Sequence, residues 1–106
     1  MEKMYLISHG GANRDQVAHI KGILMVLSTD ILECVNEQFF LMFYPKGLDN
    51  LKQELLTRER IYEGIEIRNC SKNEFEQDEI IAFFEKIENA QQMALDALNG
   101  IFHKDL

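Results

Sequence analysis

Apolar positions along the chain change their spacing from one stretch to the next, and each spacing predicts an element. Met4 to Ser8 is a short apolar run closed by His9-Gly10-Gly11, the pattern of a strand that ends at a flexible turn. Asn13, with Gln16 three residues later, then offers a helix start. Val17, Ile20, Leu24, Leu27, Ile31 and Cys34 follow at alternating spacings of three and four, predicting one apolar stripe on a helix with Gly22 in its interior. Phe39 to Tyr44 is continuously apolar and aromatic and stops at Pro45-Lys46-Gly47, which predicts a strand buried on both faces. Leu48, Leu51 and Leu55 recur at helical spacing to about Arg58. Ile65 and Ile67 alternate with Glu66 and Arg68, as in a strand with one wet face, and Gly64 is placed as a bulge.

Ser71-Lys72-Asn73-Glu74 has the form of a capping box, with Cys70 and Phe75 as its apolar staple, and predicts the start of a long helix. Ile80, Phe84, Ile87, Ala94, Leu98 and Ile101 form a heptad seam along it, with Gln91 as the polar member. Ile81, Phe83, Leu95 and Phe102 widen the stripe. Asn99-Gly100 is its expected terminator, Gly100 taking the left-handed conformation. The order strand, helix, strand, helix, strand, helix predicts a small three-stranded sheet of α/β or α+β class with about three helices. The last of these is long, C-terminal and amphipathic. The competing reading is a mainly helical bundle. A stripe this long exceeds what a small sheet covers, so part of it is expected in a homodimer contact.

The chain has 106 residues, 46% hydrophobic and 27% charged, the size and composition of one globular domain spanning residues 1–106. Eleven Lys and Arg against eighteen Asp and Glu give a net charge of -7. A field of that sign repels nucleic-acid phosphates and anionic membranes and attracts a basic protein. From Ser71 onward three lysines face eight acids, so -5 of the -7 lies in the last third. Glu74, Glu76, Asp78, Glu79 and Glu85 are therefore the expected partner-binding residues, on what the sequence presents as a non-enzymatic, acidic domain. Its most concrete form is an inhibitor, immunity or antitoxin-type protein that neutralises a basic partner such as a toxin. Cys34 and Cys70 are too few for a disulfide framework and read as reduced, apolar thiols. MEKMYLISHGG lacks the make-up of a signal peptide and no run approaches the ~18 apolar residues of a membrane span. The expected location is the cytoplasm.

His9 is the one residue whose setting suggests chemistry. Ile7-Ser8-His9-Gly10 resembles the histidine turn of the mannose-type phosphotransferase IIA domains, and more distantly the histidine turn of the histidine phosphatases, which carry an arginine where this chain has Ser8. The resemblance is confined to this turn and implies, as the alternative function, a phosphocarrier or phosphoryl-handling domain that uses His9 at the carboxyl edge of a sheet. His9-Gly10-Gly11 also has the form of an oxyanion-hole loop, but no Gly-x-Ser-x-Gly nucleophile turn accompanies it. His19 and His103 read as solvated. No histidine or cysteine spacing of a metal site occurs, and no cofactor is implied. Arg58, Arg60 and Arg68 alternate with Glu54, Glu59, Glu63 and Glu66, so local pairing neutralises them.

Overall fold

The computed structural model describes residues 3–58 and 64–103. The chain divides into two compact units, Met1–Ser71 and Lys72–Leu106. The first unit holds strand β1 (Met4–Ser8), helix α1 (Arg14–Leu27), strands β2 (Ile31–Cys34) and β3 (Phe39–Phe43), helix α2 (Leu48–Arg58) and strand β4 (Glu66–Asn69). The protein is α+β. Its sheet is antiparallel throughout and has four strands, in the order β2-β3-β1-β4.

Side chains alternate across a strand, so register decides what each face carries. Ile7 lies opposite Phe40 and Ile67, while Tyr5 and Ile31 flank Met42. That face packs on Ile20, Ile23 and Leu24 of α1 and on Leu51 and Leu55 of α2 to form the core. Met4, Leu6 and Leu41 occupy the opposite face and are buried as well. Burial on both faces is why β1 and β3 read as unbroken apolar runs. Each such side chain contributes roughly 1.5–3 kcal/mol of transfer free energy.

The strand missing from the expected three is β2. Ile31 and Cys34 continue the helical spacing of α1, yet α1 stops at Leu27. The Ser28 amide donates to the Leu24 carbonyl at 3.0 Å, and its Oγ donates to the Phe43 carbonyl at 2.7 Å and accepts from the Asp30 amide at 3.1 Å. A short polar side chain that bonds locally to backbone competes with helix continuation. Ile31 to Cys34 then find ladder partners in β3, and Ile31 and Cys34 point to opposite faces. Gly64 is also corrected: it lies in a turn ahead of β4 and is not a bulge within it. Cys34 and Cys70 are both buried thiols.

The second unit opens with a one-turn 3-10 helix at Lys72–Glu74, followed by α3 (Asp78–His103). The Ser71 capping box does not start α3. The first α3 bond runs from the Ile81 amide to the Gln77 carbonyl at 3.0 Å. Phe75 supplies the reason, because its ring lies 5.9 Å from that of Phe84. A helix unbroken from Lys72 would set those two residues about 13–14 Å apart along its axis, at ~1.5 Å per residue. The tight turn and the non-helical link to Gln77 let Phe75 fold back. At the other end Gly100 stays helical and the helix runs on to His103, so Asn99-Gly100 is not the terminator. Ile80, Phe83, Phe84 and Ile87 are buried, whereas every residue from Asn89 to Gly100 is exposed, including Leu95 and Leu98 of the expected seam. Ile101 and Phe102 have side chains outside the described set. Among the described residues no helix is long and apolar enough to cross a membrane.

Candidate functional site

His9 directly follows β1. Its amide donates to the Gln38 carbonyl and its carbonyl accepts from the Ala12 amide, both at 3.1 Å. Gly10 and Gly11 take φ of 44° and 98°, left-handed conformations that release the chain from the sheet toward α1. There the capping box at Asn13 is complete. The Asn13 side chain accepts from the Gln16 amide and the Gln16 side chain accepts from the Asn13 amide, each at 2.9 Å. The turn is thus built as its residue types require.

The imidazole is buried, 6% exposed, with its ring 5.8 Å from that of Phe40 at 54°. Nδ1 is inaccessible and has no hydrogen-bond partner among the described residues. Among the described residues no carboxylate orients the ring through that atom. The strand edge also differs from the one the resemblance implies, since ligand binding at carboxyl ends belongs to parallel α/β sheets and this sheet is antiparallel.

The five acids belong to the second unit and are all exposed. Glu74 closes the 3-10 turn, and Glu76 lies in the link, where its amide donates to Gln77 Oε1 at 3.2 Å. Asp78 and Glu79 occupy the first turn of α3, where the helix dipole favours negative charge. Glu85 follows Asp78 by two turns, so the two share a face with Ala82 between them. Glu76, Asp78, Glu79 and Glu85 enter no ion pair among the described residues. The nearby Lys72 is already engaged, with Nζ 3.4 Å from Glu88 Oε2.

A third feature was not legible in the spacing. Lys21, Met25, Ser28, Thr29, Ile31 and Glu33 line a shallow open groove of about 390 Å³ where α1 ends beside β2. Lys21 Nζ lies 3.3 Å from Glu33 Oε2 across it. Reading Ile31 as helical hid this groove, and Ser28-Thr29-Asp30, three turn-forming residues in succession, was the signal that could have found it. His19 is exposed on α1 and Arg68 on β4. Glu59, Arg60 and Glu63, with the side chains of Arg58 and His103, lie outside the described residues. No three His, Cys, Asp or Glu side chains among the described residues are grouped as metal ligands. Comparison of the chain with protein-family models, with curated proteins and with solved structures gives no significant match.

Proposed function

We propose that the chain is a non-catalytic, cytoplasmic protein-binding domain whose acidic segment, Glu74 to Glu85, docks a basic protein. An inhibitor, immunity or antitoxin role against a basic toxin is the most concrete form of this reading. What carries it is the excess charge of that segment: Glu76, Asp78, Glu79 and Glu85 are exposed and outside any described ion pair, while of the two nearby lysines Lys72 is occupied by Glu88 and Lys86 alone stands against the four acids. Exposed charge of one sign acts mainly on the rate of encounter with an oppositely charged partner, and it does so in a salt-dependent way.

The test is capture of partners from lysate of the source organism, followed by kinetics with the purified partner. The partner should be basic and its association should slow as salt rises. The triple variant Glu76→Lys, Glu79→Lys and Glu85→Lys should lower the association rate by roughly tenfold or more while helix content is kept. An acidic partner, or unchanged kinetics with the reversed protein, overturns the reading.

A further inference from the structure

We propose that the outer edge of β2 accepts an extended segment of another protein as a fifth strand, a segment apolar at alternate positions and basic at its ends. The surface lies in the first unit, away in sequence from the acids after Ser71, and the inference does not depend on their role.

Register defines the recognition chemistry. The Phe43 amide donates to the Asp30 carbonyl at 3.1 Å, so Asp30, Leu32 and Cys34 direct their backbone groups at β3. The N–H and C=O of Ile31 and Glu33 therefore point outward, and they have no hydrogen-bond partner among the described residues. Two outward residues bearing donor and acceptor are the template for strand addition. The other edge of the sheet is defended: β4 presents the exposed charges of Glu66 and Arg68. On β2 the single charge, Glu33, is tied to Lys21 at 3.3 Å.

The flanks select side chains. The groove beside β2 has Met25, 62% exposed, in its wall, and Val35, 71% exposed, follows the strand directly. A strand laid along Ile31–Cys34 places every second residue over that groove. Charge then selects the ends. Asp30 directly precedes the strand and Glu37 lies in the turn that follows it, so with Glu33 paired to Lys21 the two ends of β2 carry the remaining acidic charge. A second copy of β2 would bring an equally acidic edge against it, which like-charge pairing across strands disfavours. A segment with basic ends meets complementary charge.

The probe is a short synthetic peptide of alternating valine and threonine with paired lysines at both ends, used with the full chain. Its binding should protect the Ile31 and Glu33 amides from hydrogen exchange. Methylation of the peptide nitrogens that face β2 should weaken binding by roughly tenfold or more, since those donors are lost. Replacing the lysines by glutamates should do the same. Glu33→Pro removes an outward donor at a position where an edge strand tolerates proline, so it should also weaken binding while the thermal midpoint confirms the fold. The proposal is overturned by equal binding of the methylated peptide, by binding without protection at Ile31 and Glu33, by no binding at all, or by a dimer of the chain that protects β2 without peptide.

Discussion

Identical glycine substitutions should act with opposite sign at two positions of this chain, and backbone conformation decides which way. A Cβ at Gly11 meets nothing within 4 Å, but φ is 98°, which L residues adopt at a cost. Gly11→Ala should therefore destabilise the protein by about 1–2 kcal/mol. Gly22 is exposed inside α1, with nothing within 4 Å of its Cβ and an ordinary helical φ, so Gly22→Ala should stabilise by about 1 kcal/mol. Urea unfolding of both variants checks the pair. The turn around Gly11 was legible because its conformation is set locally, by His9-Gly10-Gly11 and the cap that follows. The burial of His9 was not, since it depends on Phe40, which reaches the histidine only after β1 and β3 have paired.

Two capping boxes stand in the sequence, and only one opens an α-helix. At Asn13 nothing competes with the local bonds, so Asn13→Ala should cost about 1 kcal/mol and Asn13→Asp should be nearly neutral, as measured by thermal or urea unfolding. At Ser71 the same pattern yields a 3-10 turn because the Phe75–Phe84 contact requires the chain to fold back before α3 begins. The loss of β2 from the expected sheet has the same origin. Ile31 and Cys34 fit a helical stripe by spacing alone, and what places them in a strand is the offer of ladder bonds from β3, which no local window contains. β3, α2 and β4 were legible because each has one dominant signal: an aromatic run closed by proline, leucines at helical spacing, and strict alternation. The outward backbone groups of β2 became visible only once its register was known.

At the scale of the whole molecule, the acids that make the chain a candidate for binding basic partners also work against its own folding. A net charge of -7 repels itself in the compact state. The described ion pairs, Lys21–Glu33 and Lys72–Glu88, are surface pairs worth little, of the order of 0–1 kcal/mol each. Raising salt from about 0.01 M to about 0.15 M shortens the screening length from about 30 Å to about 8 Å. The thermal midpoint should accordingly rise over that range, and calorimetry at fixed pH measures it. A fall would mean that attractive charge contacts outweigh the repulsion.

The strand order has a consequence for how the chain comes into being. β1 is synthesised before the other three strands, yet it lies between β3 and β4, so Ile7 must wait for Phe40 on one side and for Ile67 on the other. The β2–β3 hairpin, joined through the turn at Val35–Gln38, can zip within microseconds of emerging. Closing the sheet around β1 requires chain loops of far greater span and is correspondingly slower. Until then a strand that is apolar on both faces remains uncovered in the nascent polypeptide. The interval between translation of Met4 and translation of Asn69 is thus the period in which this protein most needs shielding from aggregation.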